Sequence, residues 1–132
     1  MDTQDTVNFL AVGLAALSMF LIGGAWYSVL FPGAWQRAAG LSSEALQSGA
    51  ARVFVGSLVL ALVIAGSLAA FIGSQSVAFG TVVGAVAGLT FFAAPLWIVY
   101  LFERRSLALA AINVGYGVVS FTVMGLIVGA LQ

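Results

Sequence analysis

The best polar constellation within apolar sequence is Asn113, Tyr116 and Ser120, at i, i+3 and i+7. That spacing puts an amide, a phenol and a hydroxyl on one face of a helix. Such groups donate and accept hydrogen bonds but carry no charge at neutral pH, and a hydroxyl needs an adjacent base to act as a nucleophile. Their chemistry is therefore either a tie between helices or the polar lining of a solute path. Tyr27 and Tyr100 are expected close enough in depth for one of them to reach Asn113, which lies about 9 Å inside Leu107 at the helical rise of ~1.5 Å per residue. Nothing stronger is available. The chain has no His and no Cys, and its four basic residues are all Arg. Two of the usual ligand types for metals, haem and redox centres are thus missing. No Ser has a His or Lys to activate it, and no acid pair falls within one apolar segment. No catalytic, cofactor-binding or metal-ligating residue is expected, and the chain does not read as an enzyme.

The elements that must position these groups are four apolar segments, about Val7–Leu30, Arg52–Gly73, Val77–Phe102 and Leu107–Leu131. Each exceeds the ~20 residues needed to cross a hydrocarbon core. With 63% hydrophobic and 6% charged residues and a mean hydropathy of +1.19, a water-soluble fold is excluded. In lipid every backbone N–H and C=O needs an internal partner, so spans are helices or closed barrels. Barrel strands would alternate polar and apolar residues. Leu58-Val59-Leu60-Ala61-Leu62-Val63-Ile64-Ala65 does not. The expected fold is all-α, an integral membrane four-helix bundle forming a single transmembrane domain over residues 1–132. Met1–Thr6 is acidic rather than basic, and the first span is too long for a cleaved signal sequence, so it should remain in the mature protein.

Arginines orient the bundle. Arg37 and Arg52 flank the first connection and Arg104 and Arg105 form the third, whereas Asp2, Asp5, the turn Gly73–Ser76 and Gln132 lie at the other end. Basic residues of short loops stay on the cytoplasmic side. Both termini are therefore expected outside, and the location is the cell (inner) membrane, multi-pass. Within the first connection, Pro32-Gly33 should stop span one, with glycine available for a left-handed turn. Ala34–Ala39 then reads as a short interfacial helix, with Trp35 at headgroup depth and Arg37 reaching phosphates. Ser42 is an expected N-cap, with Glu44 in the first turn. Trp26, Trp97, Arg104 and Arg105 are further interfacial candidates. Trp26 and Phe31 also repeat the spacing of Trp97 and Phe102, as either a duplicated hairpin or aromatic belts would produce.

Gly24-Ala25-Trp26-Tyr27-Ser28-Val29-Leu30-Phe31, followed by Ala34-Trp35, resembles the first signature of domain of unknown function 1761, a family of small four-span bacterial membrane proteins. Tyr100-Leu101-Phe102-Glu103, Ile112-Asn113-Val114-Gly115-Tyr116 and Met124-Gly125 resemble its second, and Gly40-Leu41-Ser42 extends the likeness across essentially the whole chain. The resemblance implies the four-span fold and topology and no particular activity. Val29, Val99 and Gly117 stand where that pattern has proline, asparagine and histidine, which argues against proton relay or metal binding in this member.

Small residues recur at four-residue spacing. Gly80, Gly84 and Gly88 line span three after Ser76; Ser57, Ala61, Ala65, Ala69 and Gly73 line span two; Gly125 and Gly129 lie on span four. Lipid supplies no hydrophobic drive for helices to meet, so such stripes work by permitting close backbone contact. They serve packing within one bundle or an interface between subunits. Pro95 should kink span three by freeing the carbonyl of Phe91, with Thr90 placed to help satisfy it. No Asp, Glu, Arg or Lys lies deep in a span, which disfavours a proton-coupled carrier. The function expected is non-enzymatic assembly, as a homo-oligomer or an accessory subunit of a larger membrane complex. The alternative is a small-solute transporter or channel with a polar path along span four. The expected partners are the lipid bilayer and another membrane protein or a second copy, not nucleic acid.

Overall fold

The computed structural model describes residues 7–132. The acidic segment Met1–Thr6, with Asp2 and Asp5, lies outside the described residues. Four helices are long and apolar enough to cross a membrane: span one Phe9–Leu30, span two Ala50–Ile72, span three Val77–Glu103 and span four Leu107–Leu131. Among the described residues there is no strand. The boundaries follow local chemistry. Asn8 accepts from the N–H groups of Leu10 and Ala11, Ser76 from Phe79 and Ser106 from Leu109, each satisfying a backbone donor that the helix leaves free. Span two ends where Gly73 turns to φ 62°, a backbone region that costs glycine nothing.

The first connection contains two short helices, Pro32–Ala39 and Ser43–Gln47. Ser42 caps the second by accepting from Ala45 N–H, and Glu44 lies in its first turn, as expected. Pro32 and Gly33 behave differently from expectation. Pro32 opens the helix, where its missing N–H is harmless, and Gly33 is helical; the left-handed residue is Gly40 at φ 71°. Span one ends instead through a widened π-helical turn over Trp26–Leu30, closed by Phe31 N–H on the carbonyl of Trp26 at 2.9 Å.

Span three has a second π-helical segment, Gly88–Ala93, immediately before Pro95. The wide turn absorbs the proline's missing donor, since Ala94 N–H reaches back to Leu89. Thr90 takes no part in this relief. Its hydroxyl donates to the carbonyl of Val86 at 2.6 Å, one turn away from Phe91.

Span four is the hub, in contact with each of the other three. Its pairing with span three is the most extensive, and here the small-residue stripes meet. Side chains built at Gly80 or Gly84 would strike the backbone of Phe121, Gly125 or Gly129, and one at Gly88 would meet Phe121 and Val118. These stripes are consumed within one chain and are not free to form a subunit interface. On the other side, Ala61, Ala65 and Ala69 of span two pack with Ala15 and Ala16 of span one and with Met124 and Val128 of span four, both 0% exposed. Ser57 is not part of this seam. It is exposed, because the first part of span two stands clear of the core.

The end opposite the arginines is tied by one side chain. Gln132 accepts from Asn8 N–H (2.9 Å) and donates to the carbonyls of Ala69 (3.0 Å) and Gly73 (2.8 Å). Asn8 donates in turn to the carbonyl of Leu131 at 3.0 Å. The ends of spans one, two and four are thereby closed in one network, which satisfies the terminal carbonyls of Gly73 and Leu131 and adds a second donor to that of Ala69.

Candidate functional site

The polar groups singled out in the sequence gather at the arginine-bearing end, between spans one, three and four. The Tyr27 hydroxyl donates to Asn113 Oδ1 at 2.6 Å, and Asn113 Nδ2 donates to the Tyr100 hydroxyl oxygen at 2.8 Å. One carboxamide thus joins a phenol from each neighbouring helix. Tyr116 donates to the carbonyl of Met19 at 3.3 Å, a second tie between spans four and one. All four side chains are half-buried.

Local backbone form explains how Tyr27 arrives there. Consecutive residues of an α-helix diverge widely around its axis, yet Trp26 and Tyr27 both reach span four. The wider π turn that contains them brings adjacent side chains closer in angle. Trp26 turns its Nε1–H onto the carbonyl of Ile112 at 2.8 Å and lays its ring over Gly115. The reciprocal fit is Tyr116, whose ring lies 3.3 Å from where a Cβ of Gly23 would stand. Each helix therefore sends an aromatic ring into a glycine gap of the other.

The short helix Pro32–Ala39 folds back against span four. Its Trp35 ring meets Tyr27 at a tilt of 56° with centroids 4.8 Å apart, and Tyr27 meets Tyr116 edge-on at 5.3 Å. The arginines stay outside this cluster. Arg37 is exposed and lies along its own helix over Gly33; Arg104 and Arg105 are exposed at the end of span three. Arg104 adopts a left-handed backbone at φ 57°, and its guanidinium donates to the carbonyl of Phe102 at 2.7 Å. Trp97 is half-buried on the same span.

Ser120 does not join the network. Its Oγ is fully buried; the Tyr116 hydroxyl approaches it, but the hydroxyl makes no hydrogen bond of adequate geometry. Beyond it span four continues with the buried apolar side chains of Phe121, Met124 and Val128. The polar face is therefore closed at mid-helix. Gly117 lies between these groups, and the Phe92 ring occupies the space that any side chain at 117 would need. Glycine at this position is a packing requirement.

Sequence marks Trp26 as an interfacial candidate and as part of the first signature motif. Nothing in it signals that Trp26 ties spans one and four, or that Gln132 and Asn8 close the other end. Gly23 and Gly115 are the only available signal for the aromatic interlock, and glycines are too common in membrane helices to identify their occupants. Among the described residues no group of three or more acidic side chains is placed to hold a metal. Two apolar cavities open on the flanks of the bundle. One of about 500 Å³ opens sideways between spans two and three, floored by Phe121. Another lies between spans one and four near Leu14 and Leu126.

Four membrane-length helices packed around a hydrogen-bonded tyrosine–amide cluster define a multi-pass membrane bundle in which, among the described residues, no Asp, Glu, Lys or Arg is buried. The chain belongs to the family described as protein of unknown function DUF1761, which it matches over residues 10–129. No curated protein and no solved structure matches it.

Proposed function

We propose that this protein is non-enzymatic and acts by assembly in the membrane, with a second copy of the chain seated in the cleft between spans two and three. The observation that carries this reading is the cleft itself. Spans two and three are joined by the short turn Gly73–Ser76 yet make little contact, leaving an apolar space of about 500 Å³ open to the bilayer. Phe71 and Phe91 stand on its rim, 74% and 80% exposed. A patch carrying both a protruding ring and a hole is self-complementary, which is what a two-fold interface requires. The hydroxyl of Ser67 on the wall is already bonded to the carbonyl of Val63, so the surface carries no unmet polar demand there.

The transport reading has less support. Asn113, Tyr27 and Tyr100 are engaged with one another, and the polar face stops at Ser120 beneath buried apolar side chains.

Val86→Trp tests the assembly reading, because it fills the cleft from an exposed position on the helix face opposite Gly84 and Gly88. Native mass spectrometry of the gently extracted protein should show a dimer that this substitution converts to monomer, with helical content unchanged. A wild-type protein that is monomeric under conditions that retain bound lipid would overturn the reading.

A further inference from the structure

We propose that the arginine-bearing end holds an anionic phospholipid, its phosphate on Arg104 and Arg105 and its ester carbonyl on Tyr100 and Asn113. This rests on observations separate from the cleft. The first is unused donor capacity. Tyr100 accepts from Asn113, but its own O–H donates to nothing described, and Asn113 Nδ2 uses one of its two N–H groups. Both side chains are half-buried at the end of an apolar bundle, where a donor partly shielded from water favours any acceptor within reach.

The second observation is charge without a partner. Among the described residues the side-chain carboxylates are Glu44 and Glu103, and neither is seen within 4.0 Å of an arginine nitrogen, although Glu103 directly precedes Arg104. Arg104 uses one guanidinium nitrogen on the carbonyl of Phe102 and leaves its other donors free. Arginine's planar fork suits phosphate oxygens.

Depth joins the two. Tyr100 lies in the last turn of the helix that ends at Glu103, and Arg105 N–H bonds the carbonyl of Tyr100 at 3.0 Å, so both arginines stand just beyond it at the same end. A phospholipid presents its groups in the same order, with the charged phosphate outermost and the ester carbonyls just beneath. A free phosphate ion would satisfy the arginines only.

The probe is the full-length protein in mild detergent, titrated with phosphatidylglycerol or phosphatidylcholine of identical acyl chains and read by native mass spectrometry. Phosphatidylglycerol should be retained preferentially. Arg104→Gln and Arg105→Gln should each reduce that preference about fivefold, and lysine at both positions should restore most of it. Tyr100→Phe should weaken both lipids about threefold while leaving the preference intact, because the ester is common to both. Equal retention of the two lipids by the wild type would overturn the proposal, as would a preference that survives the double glutamine replacement. Binding of the deacylated headgroup, glycerophosphoglycerol, as tightly as the intact lipid would overturn it in favour of a soluble-phosphate site. Circular dichroism on each variant separates loss of binding from loss of fold.

Discussion

Asn113 and Ser120 lie on the same helical face, and the bundle treats them in opposite ways. Asn113 receives one phenol proton and donates to another phenol, so Asn113→Leu leaves two tyrosine hydroxyls without their partner. Interhelical hydrogen bonds in membranes average ~0.6 kcal/mol and reach ~1.7, so the substitution should destabilise by about 1–2 kcal/mol. Ser120 buries a hydroxyl that makes no bond of full geometry. Removing it as Ser120→Ala deletes an unmet polar group and should raise stability by about 1 kcal/mol. Denaturant titration of both variants in mixed micelles checks the contrast. Destabilisation by Ser120→Ala would mean that Oγ has a working partner.

At the scale of elements, close approach of spans three and four depends on glycine, because backbone meets backbone at Gly80, Gly84, Gly125 and Gly129. A branched side chain there must push two helices apart or strain both. Gly84→Leu should therefore cost the monomer ~3 kcal/mol or more, at or above the upper end for overpacked cores. Ser57→Leu, on the exposed face of span two, should change stability by less than ~0.5 kcal/mol. Thermal unfolding of the extracted monomer distinguishes the two. If Gly84→Leu were harmless to the monomer, the stripe would have to lie elsewhere than against Phe121 and Gly125. The π-helical turns belong to this scale as well. One places Trp26 and Tyr27 on span four, and the other accommodates Pro95 in span three.

For the whole molecule, the arginines and the turn Gly73–Ser76 lie at opposite ends of the bundle, so one measurement orients it. Basic short loops remain cytoplasmic. Single cysteines placed at Ser43 and Ser106 should resist an impermeant thiol reagent in intact cells, while one at Gln75 should react. The absence of native cysteine makes the assay free of background. Labelling at Ser43 and Ser106 from outside would reverse the orientation. The Gln132 network at the opposite end binds spans one, two and four together. Its hydrogen bonds are with backbone groups of those spans, so substitution there reaches all three helices.

Four spans, their helical form and most of their ends were determined by sequence alone. Lipid forces long apolar segments into helices, and Ser42 acts as an N-cap through bonds made within its own turn. Such terms are local, and neighbouring helices do not alter them. The Asn113–Tyr116 face was legible for the same reason, since helical period sets which residues align. What only tertiary structure decided is which surfaces meet. Glycine and alanine stripes allow contact on any face without naming a partner, and packing made Gly80, Gly84 and Gly88 internal while leaving Ser57 exposed. Backbone carbonyls carry no sequence signature, so the bonds from Trp26 to Ile112, Tyr116 to Met19 and Gln132 to Ala69 could not be read in advance. Span two's separation from span three, and with it the apolar cleft, follows from span four occupying the centre. That outcome depends on the summed contact of all four helices and on no single motif.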